Sequence, residues 1–207
     1  MTATDLSEGM LQLARQHADA AGLANISFRL ADAQALPFDD ASFDVVTLRL
    51  GVMYFVDVQM ALREIARVLK PGGRTAFVVW GPPDQGTFGA FMVGPLMARR
   101  PLDLPPPDMP FPLRFAEPGS LSAELRRAGL ADVTEENAIL PFAWPGPPEE
   151  AWAQFYDRAI PMRPYFDSFP PEERAAAFQE ALAILPSKTR RDRTDLTAAV
   201  NFAAARA

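Results

Sequence analysis

The 207 residues contain no cysteine and one histidine, His17. Without cysteine there is no disulfide, no thiolate nucleophile and no Cys-ligated zinc. A single histidine argues against a His-based metal site or a Ser-His-Asp triad. Positive charge is also scarce: 20 Lys and Arg stand against 26 Asp and Glu, a formal net charge of −6. Nucleic-acid binding depends on clustered cations that neutralise phosphates, so that class is set aside. Anionic membrane surfaces are disfavoured on the same ground. No apolar run approaches the roughly 20 residues of a membrane span. Asp5 and Glu8 stand where a secretory leader carries its basic start and apolar run, so no leader is expected. Asp39, Asp40 and Asp44 are spread over a turn and a strand start, and no metal site is expected from them. The expectation is a soluble, cytoplasmic protein.

Hydrophobic residues make up 49% of the chain, ample for the core of one domain. Proline is abundant, at 21 residues, about twice the usual share of roughly 5%. Proline fixes φ and removes a donor, so the clusters at 82–118 and 141–171 read as loop-rich insertions on a regular scaffold.

The scaffold is visible in the periodicity. Ser7 caps a helix with Met10, Leu13 and Ala14 on one side, ended by Gly22. Ile26, Phe28 and Leu30 alternate, as in a half-buried edge strand. "FDVVTL" (Phe43 to Leu48) is continuous enough to suit a strand covered on both faces. Asp57 caps a helix whose Val58, Ala61, Leu62, Ile65, Val68 and Leu69 form one stripe. "PGG" (Pro71 to Gly73) stops it, and Arg74 to Trp80 is a strand. Recurring strand, helix and strand with short links means parallel βαβ units. Downstream, helices are expected over 117–130, 148–160 and 171–185, and strands over 131–142 and 194–207. The basic run Lys188 to Arg193 reads as a solvated turn.

Three stretches in this order, "DLSEGMLQLAR", "ADAQALPFDDASFDVVTLRLG" and "ALREIARVLKPGGR", resemble class I S-adenosylmethionine-dependent methyltransferases of the ubiquinone/menaquinone-biosynthesis type. The resemblance implies an α/β fold: a Rossmann-like sheet with helices on both faces, strand order 3-2-1-4-5-7-6, and strand seven antiparallel. It divides the single domain into a cofactor-binding half at 1–80, a proline-rich lid at 81–118, and a C-terminal half at 119–207 with a helical insertion at 148–185. The cofactor implied is S-adenosyl-L-methionine, and the partner is a small-molecule methyl acceptor.

The same resemblance implies the site. Asp5 ends the second strand, where a carboxylate takes a ribose diol. Leu6 packs on the adenine face or in the core. Asp32 accepts from the adenine amino group, and the Ala33 amide donates to a ring nitrogen. Arg49 departs from the serine common in relatives; it pairs with a cofactor carboxylate or substrate anion, or with Asp57. Leu50 to Met53 line the reaction centre, and Tyr54 is the candidate catalytic base. Met53 and Tyr54 stand where some quinone-pathway members show "RN", which puts a quinone-precursor substrate in doubt. Trp152, Phe155 and Tyr156 cover a substrate pocket or pack a lid. His17 near the helix end reads as structural.

The central first strand and its glycine-rich loop have no counterpart in the chain. Strands two and four would then keep unpaired edges. The expectation is therefore the downstream part of a longer methyltransferase, with Met1 not the true start and activity impaired. The alternatives are direct pairing of strands two and four, or a second chain completing the sheet. A non-catalytic remnant or binding protein of the same fold is the competing functional class. A nicotinamide-dependent oxidoreductase is a third, disfavoured by the lack of a Gly-rich fingerprint.

Overall fold

The computed structural model describes residues 1–106, 108–185 and 192–207. Most of the basic run from Lys188 therefore lies outside the described residues.

The chain starts with a strand–helix–strand unit: β1 (Thr2–Asp5), α1 (Glu8–Ala20) and β2 (Ser27–Leu30). The Ser7 hydroxyl accepts from the Met10 amide at 3.3 Å, as a cap should. β1 and β2 pair in parallel, Thr2 opposite Ser27 through Asp5 opposite Leu30. A second sheet contains β3 (Phe43–Arg49), β4 (Leu69–Trp80), β5 (Ala131–Pro145) and β6 (Arg193–Arg206), in the order β3-β4-β6-β5. β3 is parallel to β4, whereas β6 is antiparallel to both of its neighbours. These orders are the 3-2 and 4-5-7-6 portions of the sheet implied by the resemblance. β1 and β3 do not pair, so each keeps one edge without a strand among the described residues. The alternative in which strands two and four join directly is thus overturned.

Exposure follows from that opening. The expected α1 face is wrong: Leu11 and Ala18 are buried, while Met10 and Leu13 are 55% and 45% exposed. Nor is β3 covered on both faces, since Val45 is 57% exposed. Periodicity finds the apolar side of an element, but burial also needs a partner to cover it. By contrast, α2 (Val58–Val68) buries its whole expected stripe, together with Leu69. Ile65, Leu62, Phe77, Val79, Leu121 and Leu125 belong to this first core. The strand expected at Arg74 is paired from Leu69 onward, with a register shift around the "PGG" turn. Gly72 there has φ +79, which a side chain tolerates poorly.

The proline-rich segments build a second core. Between β4 and β6 lie α3 (Thr87–Met92), α4 (Gly94–Arg99), α5 (Ser120–Arg127), α6 (Pro148–Arg158), α7 (Arg163–Asp167) and α8 (Pro171–Leu182). Phe91, Leu96, Trp144, Phe166 and Ala181 are buried there. Asn201 of β6, fully buried, anchors the stretch before α5 by donating to the carbonyls of Phe115 (3.1 Å) and Ala116 (3.0 Å). Thr87 and Thr197 exchange backbone-to-hydroxyl bonds of 3.0 and 2.8 Å, fastening α3 to β6. α3 also crosses Pro83 so closely that a Cβ on Gly89 would lie 2.0 Å from the Pro83 carbonyl oxygen.

Truncation should discriminate the covered face from the open one. Leu62→Ala is expected to cost about 2–5 kcal/mol in urea unfolding, and Met10→Ala less than about 0.5 kcal/mol. Equal losses would contradict the burial described.

Candidate cofactor edge and aromatic cavity

Residues at the C-terminal ends of β1, β2 and β3 form the candidate cofactor edge. Asp5 closes β1, and its carbonyl accepts from the Ala31 amide at 3.0 Å. Its Oδ1 accepts from the Ser7 amide at 2.8 Å, and its Oδ2 has no protein partner among the described residues. Leu6 is 72% exposed, which removes the core-packing reading. Asp32 follows β2 and is half-buried. It accepts from the Gln34 amide at 2.9 Å and from the Gln34 side chain at 3.2 Å on each oxygen. The neighbouring Ala33 amide has no acceptor among the described residues.

The sequence reading missed what holds this loop. Gln34 Oε1 accepts from the Asp57 amide at 2.7 Å, tying the end of β2 to the start of α2. Glu64 accepts from the Leu36 amide at 2.8 Å. Arg67 donates to the carbonyls of Leu36 (3.0 Å) and Phe38 (2.8 Å) and pairs with Glu64 and Asp40 at 2.7 Å each. Two polar residues on α2 thus grip the "ADAQALPF" loop. Only their charge was visible in sequence, because the contacts span about 30 residues. The Arg67 guanidinium, foremost, holds the Glu64 carboxyl below its ordinary value of 4.5.

Arg49 ends β3, exposed and without an ion pair among the described residues. The expected alternative partner, Asp57, instead caps α2 by accepting from the Met60 amide at 2.8 Å. Leu50 has φ +54, a left-handed conformation unusual for a non-glycine residue. Its amide donates to the Val78 carbonyl at 2.8 Å, which helps hold it there. Strain of this kind costs on the order of 1–3 kcal/mol and collects at functional sites. Val52 and Met53 are fully buried, so they support the site from beneath.

Tyr54 is 45% exposed and sits on the short helical turn Val52–Tyr54. Burial of its phenol raises the pKa above the ordinary 10.0. At neutral pH it therefore keeps its proton, which is unfavourable for the expected base role. The turn is covered from the lid side. The Phe111 amide donates to Met53 at 3.2 Å, and Arg114 donates to Phe55 at 2.7 Å.

Tyr54 also lines a cavity of about 210 Å³ between β4 and the lid helices. Trp80, Phe88 and Trp144 form a stacked wall, with centroids 5.3 and 6.1 Å apart and ring planes within 17° and 13°. Phe155 stands edge-on to Phe88 at 5.6 Å. Of the other expected lid residues, Trp152 packs on Phe91 and Phe178, and the Tyr156 hydroxyl donates to Asp167 at 2.7 Å. Neither lines the cavity.

The family model described as "Methyltransferase domain" matches residues 1–77. That match covers well under half of the chain. Over that stretch the sequence is similar to methyltransferases, and the chain has a Rossmann-like α/β fold. Over 85 residues it is 47% identical to the demethylmenaquinone methyltransferase of Thermus thermophilus, a match covering 41% of this chain and 38% of the relative. The chain thus spans well under half the length of that relative. The crystal structure of the YcgJ protein from Bacillus subtilis superposes with TM-score 0.57 at 22% identity, over 99% of this chain and 81% of that one. Phosphoethanolamine N-methyltransferase 2 of Haemonchus contortus, in complex with phosphomonomethylethanolamine and S-adenosylhomocysteine, gives TM-score 0.52 at 20% identity, over 99% and 43%. These two likenesses concern the methyltransferase fold.

The Glu64 grip has a pH signature. A carboxyl with a lowered folded pKa stabilises above its unfolded pKa and loses that contribution as pH falls through the folded value. At pH 7, Glu64→Gln should lower stability by about 1–2 kcal/mol. In urea unfolding, the gap from the parent should close as pH falls from 4.5 through the lowered folded value. A gap that persists once the parent carboxyl is protonated would contradict the charge-assisted grip.

Proposed function

We propose that this chain is part of a cytoplasmic enzyme that transfers a methyl group from S-adenosylmethionine to a small-molecule acceptor. One observation carries the reading. Asp5 ends β1 and Asp32 follows its parallel partner β2, both with carboxylate capacity to spare, next to the free Ala33 amide.

The residues present suit the cofactor. The open Oδ2 of Asp5 suits a ribose diol, and Leu6, already exposed, suits the adenine face. Asp32 and the Ala33 amide offer the acceptor and donor that an adenine edge needs. Arg49 is a cation without a partner among the described residues, suited to the cofactor's carboxylate, and Leu50 turns the backbone at the reaction centre. When bound, the cofactor supplies an electrophilic methyl on sulfonium, attacked in line. The chain's task is then to position the nucleophile and exclude water. Tyr54 lines the cavity, where its phenol, its pKa raised by burial, offers a hydrogen-bonding group.

The reading includes one further parallel strand between β1 and β3. It is supported by the two unpaired edges and by the exposed Val45, Met10 and Leu13. The competing reading, a binding protein of this fold without catalysis, shares the site and differs in turnover.

Calorimetric titration with S-adenosylmethionine tests the site. The folded chain should bind it, and Asp5→Ala or Asp32→Ala should each weaken binding about tenfold or more, the effect of losing charge-assisted hydrogen bonds. A chain that melts cooperatively yet shows no binding, or binding indifferent to both changes, would overturn the proposal.

A further inference from the structure

The cavity between β4 and the lid has a chemistry that the methyltransferase reading does not specify. One wall is the Trp80–Phe88–Trp144 stack, and Phe142 meets Trp80 edge-on at 6.1 Å. All three stacked residues line the cavity, and an aromatic lining of this kind suits an aromatic partner, stacked or edge-on. Arg158, at the end of α6, is the one charged side chain among the residues described as lining the cavity. Its guanidinium lies 5.3 Å from the centroid of the Trp144 ring. No carboxylate pairs with it among the described residues, although acids outnumber bases in the chain by 26 to 20. A cation left unpaired on the rim of an apolar slot in an acidic protein is positioned for a ligand anion. Stacking on Trp144 fixes the planar fork while leaving its donors free.

We propose that this cavity binds a flat aromatic small molecule bearing one anionic group, with the rings against the aromatic stack and the anion at Arg158. The cavity's role as the acceptor seat rests on the methyl-transfer reading; binding of such a molecule does not. Tyr54 then stands where the cavity meets the cofactor edge, since it lines the cavity three residues after Gly51, whose carbonyl accepts from its amide at 2.9 Å. An acceptor seated this way presents its far edge toward Tyr54 and keeps its charged end at Arg158.

Three naphthalene probes of nearly equal shape separate the terms, by calorimetry on the whole chain without cofactor: 2-naphthoate, naphthalene-2-methanol and 2-naphthylmethylammonium. The anion should bind about tenfold tighter than the neutral probe, and the cation weakest. In Arg158→Gln, an exposed change that leaves the core untouched, the preference should vanish while the neutral probe keeps its affinity. Phe88→Ala should weaken all three. Equal affinities, a preference that survives Arg158→Gln, or no saturable binding of any probe would overturn the proposal. Because no cofactor is present, naphthoate binding in a chain that ignores S-adenosylmethionine would retain the cavity and discard the methyl-transfer reading.

Discussion

β4 is the strand on which both candidate sites depend. Over Arg74 to Val78 it pairs with β3 on one side and β6 on the other. Through β3 it sets Arg49 and Leu50 at the cofactor edge; the Leu50 turn is held by the Val78 carbonyl of β4 itself. Through its last residue, Trp80, it starts the aromatic wall of the cavity. α2 packs on the same strand and reaches back with Glu64 and Arg67 to hold the loop after β2. A single central strand thereby links the candidate cofactor edge to the aromatic cavity.

The other determining constraint is the opening between the two sheets. Backbone donors and acceptors on an edge must be satisfied by another strand or by water. Among the described residues no strand pairs with the second edge of β1 or of β3, and Val45, Met10 and Leu13 are exposed. The strand–helix–strand unit at the N-terminus consequently buries little, with only Leu11 and Ala18 inside α1. Its connection to the second sheet runs through polar contacts of the 31–42 loop. The lid, by contrast, has its own aromatic core.

Local patterns in the sequence were informative where an element's partner was present. The α2 stripe, the Ser7 and Asp57 caps and the antiparallel last strand all follow from periodicity, turn chemistry or motif order. The same periodicity misplaced the buried side of α1, because Met10 and Leu13 are apolar whether or not anything covers them. The grip of Gln34, Glu64 and Arg67 was invisible, since hydrogen bonds across 23 to 31 residues leave no local spacing. The cavity was equally hidden. Its wall combines residues 80, 88 and 144, from three elements separated by proline-rich chain. Tyr54 was found by its position after β3, but its protonation depends on burial, which no motif records.

Amide hydrogen exchange with and without S-adenosylhomocysteine tests the central claim, that a cofactor edge is assembled across the ends of β1, β2 and β3. The account predicts slowed exchange in residues 31–36 and 50–54, with the lid helices unchanged. Slowing confined to the lid, or none in either segment at saturating ligand, would contradict it.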